Sequence, residues 1–367
     1  MKDSNFIPLS KPSISQKEID CVIDAVQSGW VSSLGDYIDI FEKNFADYCG
    51  TKYAITTSSA TTALHLSLAA FGVGPGDEVI IPDLTFIATA NAVKYVGADV
   101  ITVDICKDTL CIDIEAVQNA ITKSTKAIIP VHLYGHPASM KELNDIASEY
   151  DLIVIEDAAE AHGAEIKNIK VGSFGNVGIF SFYGNKIITT GEGGMITTND
   201  KTIYERLRYL RDHAMDPDKR YWHEEIGFNY RMTNIQAALG VAQLKRIDQI
   251  LDKKKEVFDW YKDYLVDEAN IKLNSQKNGY KNVYWMVCVE ILGFDEEKRD
   301  SLMHSLKSQG IETRPYFFPI SDMPMYQSNN TKIVHSVSKS GLNLPSFFDI
   351  TKEEVEYICT KLKLFIL

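Results

Sequence analysis

Between residues 61 and 157 the chain repeats one pattern. Short apolar runs rich in β-branched residues, EVIIP, ADVITVD, KAIIPVH and LIVIED, alternate with longer stretches of helical periodicity such as TTALHLSLAAFG, TFIATANAVKYVG, IEAVQNAI and SMKELNDIASEY. Runs this short, with no polar residue at alternate positions, suit strands buried on both faces. Strands separated by helices predict a mainly parallel sheet with helices on each side, an α/β fold.

The rest of the chain has a different grammar. Ser15 and Glu18 predict a capping box opening a helix that stops near Gly29, and a second helix is expected from Asp36 to Tyr48. Strands GIFSF and GGMITT and a helix over 202–211 follow. One long helix is expected over 234–265, bridging to a strand VYWMVCVEI, a helix over 295–310 and a last helix KEEVEYICTKLKLFI. These features divide the chain into a large domain, 1–250, and a smaller C-terminal α/β domain, 251–367.

Of 367 residues, 45% are hydrophobic and 24% charged, as in ordinary soluble proteins. The net charge of −12 argues against nucleic acid or an anionic membrane as the main partner. Residues 1–13 lack the apolar core of a secretion signal, and no apolar run is long enough to span a bilayer. The six cysteines make no CxxC pair and no zinc-spaced cluster. The expectation is a cytoplasmic protein with free thiols and no metal.

In open α/β sheets ligands sit beyond the carboxyl ends of the strands, and three polar signals fall there. SSATT (58–62) precedes a helix, so the N–H groups of Ala60 and Thr61 would face an anion. Asp157 ends LIVIED. Lys186, 29 residues later, follows GIFSF and precedes a turn carrying Gly191, Gly193 and Gly194. Each has a plainer reading: a helix cap for the serines or for Asp157, a tight turn for the glycines. GEGG is followed by no GK[ST], which disfavours nucleotide hydrolysis. Together the parts suit pyridoxal phosphate. A lysine can form a Schiff base with its aldehyde, a helix N-terminus can hold its phosphate, and a carboxylate can keep its ring nitrogen protonated.

EDAAEAHG, SFYGNKIITTGEGGMITTND and GFNYRMTNIQAALG resemble the sugar-nucleotide aminotransferases of the DegT/DnrJ/EryC1/StrS family, and GDEVIIPDLTFIATANAV, PVHLYGHPASM and IETRPYFFP extend the likeness along nearly the whole chain. The resemblance implies the fold-type I aminotransferase architecture and pyridoxal 5'-phosphate. It implies Lys186 as the Schiff-base lysine, Asp157 as the partner of the ring nitrogen, and Ser181, Ala60 and Thr61 as the phosphate cradle. Phe86 would stack on the ring and Glu160 lie beside it. Asn229 would reach the phosphate held by a neighbouring subunit, so an active homodimer is expected.

Transfer from L-glutamate to the C4 keto group of a 4-keto-6-deoxy sugar nucleotide follows from the same resemblance. RYWHEEIGFNYRMTN and GLNLPS lean towards a GDP-linked substrate and a product used in O-antigen or lipopolysaccharide biosynthesis. Alternatives are a dTDP- or UDP-linked 3- or 4-ketohexose, and a non-catalytic regulatory protein on the same fold. Arg220, Tyr221, Trp222, Arg231 and Arg314 are the candidates for the nucleotide diphosphate and base. Arg231 could instead buttress the Asn229 loop, Trp222 could belong to the core, and His213 could alter the sugar preference.

Overall fold

A computed structural model describes residues 6–366; the reading of the first thirteen residues as lacking a leader falls partly on residues 1–5, outside the described ones. Helix α1 (Gln16–Gln27) opens with the expected box, the Ser15 N–H donating to Glu18 Oε2 at 2.7 Å. Helix α2 (Asp36–Cys49) ends on Gly50, whose φ of 73° lets the chain leave in the left-handed region.

The alternating region follows as β1 (Tyr53–Thr57), α3 (Ala60–Ala70), β2 (Glu78–Pro82), α4 (Ala88–Tyr95), β3 (Asp99–Val103), α5 (Ile114–Ala120), β4 (Thr125–Ile128), α6 (Met140–Tyr150) and β5 (Ile153–Asp157). Two short strands, β6 (Glu165–Ile166) and β7 (Ile169–Lys170), precede β8 (Val177–Ser181) and β9 (Gly194–Thr198). The seven long strands form one sheet in the order β1-β9-β8-β5-β4-β2-β3. It is mainly parallel, as expected; β9 runs against both neighbours. Alternate residues feed opposite cores. Val79 and Ile81 pack with Leu64, Leu68 and Ile155, while Ile80 packs with Ile128, Val154 and Leu143. Each such side chain contributes about 1.5–3 kcal/mol when fully buried.

Beyond the sheet come α7 (Lys201–Arg211), α8 (Asn234–Leu244) and α9 (Ile247–Leu265). The single helix expected over 234–265 is therefore two. The path breaks at Arg246 (φ −112°, ψ 6°), whose guanidinium is drawn to Glu18 Oε1 at 2.8 Å and Ser13 Oγ at 3.0 Å. The remaining elements are β10 (Ile271–Leu273), β11 (Tyr280–Lys281), β12 (Val287–Ile291), α10 (Glu296–Ser308), β13 (Arg314–Pro315), α11 (Lys332–Ser340), β14 (Gly341–Leu344) and α12 (Lys352–Ile366). The strand expected from Val283 starts only at Val287, because Tyr284 turns the backbone with a φ of 49°.

Strands β10, β12, β14 and β13 form a second, antiparallel sheet, and β11 joins β6 and β7 in a small patch. The second sheet has its own core, with Val257, Tyr261, Leu302, Leu342 and Ile358. Residues near the start of the chain belong there too. Ile7 packs in that core, its N–H donates to Gly310 O at 2.7 Å, and the Leu9 N–H donates to a Glu312 carboxylate oxygen at 2.9 Å.

Candidate active site

The site grows from two neighbouring parallel strands. Asp157, last residue of β5, lies in register with Ile179 of β8, so Ser181 and the loop to Lys186 leave the sheet beside it. Two bonds fix Asp157: the Thr89 hydroxyl donates to Oδ2 at 2.8 Å and the Ala159 N–H to Oδ1 at 3.2 Å. No α-helix follows within the next residues, so Asp157 is not a helix cap. Its neighbour Glu156 points to the other face and is wholly buried. Glu156 accepts N–H bonds from Gly172, Phe174 and Gly175 at 2.6–2.7 Å and lies 3.1 Å from His132 Nε2. The Ala138 N–H donates to His132 Nδ1, which leaves the proton on Nε2 facing Glu156.

Lys186 sits in a tight return between β8 and β9. The Phe182 N–H donates to Gly193 O and the Thr190 N–H to Phe182 O, both at 2.9 Å. Gly191 (φ 82°) and Gly193 (φ 154°) supply the left-handed backbone this path needs. The Lys186 side chain is only 12% exposed; its Nζ lies 3.7 Å from Glu160 Oε1 and 4.1 Å from the centre of the Trp285 ring. Burial lowers the proton affinity of the amine. Burial likewise raises Asp157 above the usual carboxylate range, and pushes Glu160 up to about 7 against the pull of Lys186. Glu160 Oε2 accepts the Tyr134 N–H at 2.9 Å. That bond requires Tyr134 to adopt a left-handed conformation (φ 53°), an uncommon state for a bulky residue.

The anion cradle assembles through a glycine. Ser181 pairs with Gly194, and a Cβ at Gly194 would come within 2.5 Å of the Ser59 backbone. This contact brings Ser181 against the N-terminus of α3, where Ser59 caps the helix and Ala60 and Thr61 are its first residues. Ala60 keeps a negative φ, so its N–H points as expected. Phe86 lies in the turn before α4, half-exposed, its ring 5.9 Å from that of Phe317. Thr89, in the first turn of α4, gives its N–H to Phe86 O at 3.2 Å and its hydroxyl to Asp157, which sets Phe86 on the Asp157 side of the sheet end.

The 212–231 hairpin docks nearby, the Ser58 N–H donating to Tyr230 O at 2.8 Å. Asn229 is exposed and accepts a bond from Arg231 Nε at 3.0 Å. Arg231 also reaches Asp212 Oδ1 at 2.8 Å and His213 Nε2 at 3.4 Å, so it braces the hairpin. Arg220, Tyr221 and Trp222 lie at the exposed tip, and Trp222, 48% exposed, is not core. No hydrogen bond or ion pair ties these three to Lys186. Arg314 is exposed on β13, 3.6 Å from Glu312. Sequence reasoning passed over Thr89, Tyr134 and Trp285. Thr89 and Tyr134 lie inside stretches that carry the resemblance but were given no role there, and Trp285 read as part of an apolar strand. Among the described residues, no group of three or more His, Cys, Asp or Glu could hold a metal ion, and no helix is long and apolar enough to cross a membrane.

Comparison with known proteins matches residues 12–363 to the DegT/DnrJ/EryC1/StrS aminotransferase family. GDP-perosamine synthase of Escherichia coli O157:H7 is 44% identical over 362 residues, 98% of each chain. That of Caulobacter vibrioides is 45% identical over 367 residues, 99% of each. Among solved structures, Helicobacter pylori PseC, an aminotransferase involved in pseudoaminic acid biosynthesis, superposes with a TM-score of 0.93 at 26% identity, covering 98% of this chain and 99% of its own. Streptococcus pneumoniae Spr1654, named as a sugar aminotransferase, superposes in its PLP form at 0.93 and 28% identity, with 98% of each chain covered. With a family match over nearly its whole length and relatives above 40% identity, the chain is a member of the DegT/DnrJ/EryC1/StrS aminotransferase family.

Proposed function

We propose that the protein moves the amino group of L-glutamate to the C4 keto group of GDP-4-keto-6-deoxy-D-mannose, releasing 2-oxoglutarate and GDP-perosamine. The observation that carries the chemistry is a buried lysine amine of lowered basicity, set between Glu160 and Trp285 beside a pinned aspartate. The substrate reading rests on three GDP-perosamine synthases, each 40–45% identical over nearly the full chain.

The residues fit pyridoxal phosphate by the chemistry of their donors. Lys186 would hold the aldehyde carbon. Asp157, raised by burial and fixed by Thr89, would face the ring nitrogen, whose positive charge would keep the carboxylate ionised. The N–H groups of Ala60 and Thr61, with Ser181, would hold the phosphate at the positive end of α3. Phe86 would lie on the ring face and Glu160 at its edge. When bound, the cofactor supplies the aldehyde for amine exchange and a ring that accepts the electron pair left as a Cα proton departs.

The chain itself handles the proton. Burial lowers the basicity of Lys186 and so enlarges its neutral fraction, the form in which Nζ can take the Cα proton from glutamate and return one to the sugar carbon. Glu160, with a pKa of about 7 and 3.7 Å away, can share that proton. Asn229 would reach the phosphate of a second copy; the exposed Tyr221 and Ile226 on its hairpin suit a homodimer interface. Arg220, Tyr221, Trp222, Arg231 and Arg314 remain the proposed nucleotide contacts, Arg231 acting through the braced hairpin. The charge of −12 argues against nucleic-acid and anionic-membrane partners, and a cytoplasmic location is part of the same proposal.

The test is competition among GDP-, dTDP- and UDP-linked 4-keto-6-deoxyhexoses at equal concentration, with glutamate as donor and products identified by mass. The GDP compound is expected to give the highest kcat/KM. Preference for another base keeps the aminotransferase and discards the sugar assignment. Borohydride reduction should leave the pyridoxyl mass on Lys186, and Lys186→Ala should fold but lose turnover. A label on another lysine contradicts the role given to Lys186.

A further inference from the structure

We propose that Trp285 is the positioning residue of Lys186, seating its Nζ on the indole face and fixing the preceding peptide with the indole N–H. The inference rests on Lys186 being the reacting amine.

Trp285 grips two successive residues at once. Its Nε1 donates to Asn185 O at 2.8 Å, an oxygen that also receives the Ser10 hydroxyl at 3.5 Å. Its ring face lies 4.1 Å from Lys186 Nζ. A residue present only for bulk needs neither contact, and both go to neighbours in one short loop.

The indole is itself held from three sides. Its ring lies nearly parallel to that of Tyr134, 6.3 Å away with a 17° tilt. Its carbonyl accepts the Lys254 ammonium at 2.9 Å. Just before it, the Tyr284 N–H closes onto Asn282 Oδ1 at 2.8 Å and the Val283 N–H donates to Gly135 O at 3.1 Å. A side chain anchored through face, carbonyl and preceding turn cannot follow Lys186 when that lysine moves. It marks a fixed place to which the lysine returns.

The chemistry of the seat is selective. An aromatic face attracts an ammonium and is nearly indifferent to a neutral amine. The other charged or titratable groups facing Lys186 are Glu160, Asp157 and His162, and burial holds the His162 imidazole neutral, down to about 3. The two carboxylates and the indole therefore favour the protonated lysine, whereas burial favours the neutral one. Trp285 is the member of this set that adds no titrating group of its own.

The test uses full-length protein carrying Trp285→Leu or Trp285→Phe. Acetic anhydride in limiting amount labels amines across neutral to alkaline pH, and peptide masses report each lysine. Lys253, which lies 4.2 Å over the ring of Trp260, serves as internal reference. Trp285→Leu should lower the labelling midpoint of Lys186 by about 0.5 to 1.5 pH units and leave Lys253 unmoved. Trp285→Phe keeps an aromatic face and should lower it less, while the lost N–H bond speeds amide exchange at residues 185–187. If the leucine variant fails to fold, the phenylalanine variant decides. An unchanged Lys186 midpoint together with unchanged amide exchange overturns the proposal. The labelling is run on protein freed of cofactor or treated with excess glutamate, so that the Lys186 amine is not tied up as an imine. It needs no sugar substrate, so a failed sugar assay and a failed seat are told apart.

Discussion

Glu160 and Lys254 show what buried ionisable groups cost this molecule. Glu160 is pushed up to about 7 by burial, so the folded chain binds its proton more tightly than the unfolded chain does. That contribution to stability is full below about pH 4.5 and is lost as pH rises through 7. Glu160→Gln, which can still accept the Tyr134 N–H, should therefore raise Tm at pH 8 by an amount worth on the order of 1 kcal/mol, with the gain shrinking towards pH 4.5. A gain independent of pH would place the cause elsewhere.

Lys254 is the opposite case. Burial pushes it down to about 7, and its Nζ is bound to the carbonyls of Trp285 and Ser346. The unfolded chain holds this proton more tightly, so stability rises as pH climbs from about 7 towards 10. Lys254→Met unpairs the Ser346 carbonyl and leaves the Trp285 carbonyl only the Ser346 hydroxyl at 3.4 Å, costing about 1–3 kcal/mol, and in denaturant titrations the deficit should widen as pH rises. The placement of Asp157 at a strand end, and of Lys186 in the glycine-bearing return after the next strand, was legible because strand end, glycine turn and spacing are all local in sequence. Tyr134 and Trp285 were not, because their contacts with Glu160 and Lys186 join segments that only the fold brings together.

At the scale of elements, the strands and helices of residues 61–157 were legible because a buried parallel strand writes an unbroken apolar run. The failures occurred where long-range polar contacts overrule a continuous pattern. Nothing in the apparent helical period over 234–265 announces the break at Arg246; its cause is Glu18, a wholly buried carboxylate on α1. Gln243 ties the same place to the active-site loop, giving Nε2 to Glu18 Oε1 at 2.8 Å and taking the Thr189 N–H on Oε1 at 3.2 Å. Arg246→Met should cost about 3 kcal/mol or more in denaturant unfolding, because it strands the Glu18 charge. Adding Glu18→Gln should recover part of that loss in a double-mutant cycle. Additive losses would show that the pair does not act as a unit.

Taken whole, the described residues form two main sheets and a three-stranded patch in which β11 pairs with β6. We propose a division near residue 250, supported by a second sheet drawn entirely from residues 271–344. The parts are stapled at the strand ends of the large sheet. Asp83 accepts the Ser321 N–H at 2.8 Å and the hydroxyls of Ser321 and Thr331, and Asp104 accepts the first N–H groups of α11, from Ile333 and Val334. A fragment ending at residue 250 would leave Asp83 without these partners and uncover apolar surface. It should aggregate or melt without cooperativity, as circular dichroism would record. A cooperative melt within a few degrees of the full chain would contradict this account.

The packing of Ile7 in the second sheet's core, with the bond from the Leu9 N–H to Glu312 beside it, has a consequence in time. Leu9 and its partner Glu312 are 303 residues apart, so at ~5–20 residues per second the ribosome delivers one roughly 15–60 s before the other. Throughout that interval the leading segment travels unpaired alongside a growing chain whose large sheet can already form. The second core closes only when the segment around Ile7 is still free to meet partners made about 300 residues later.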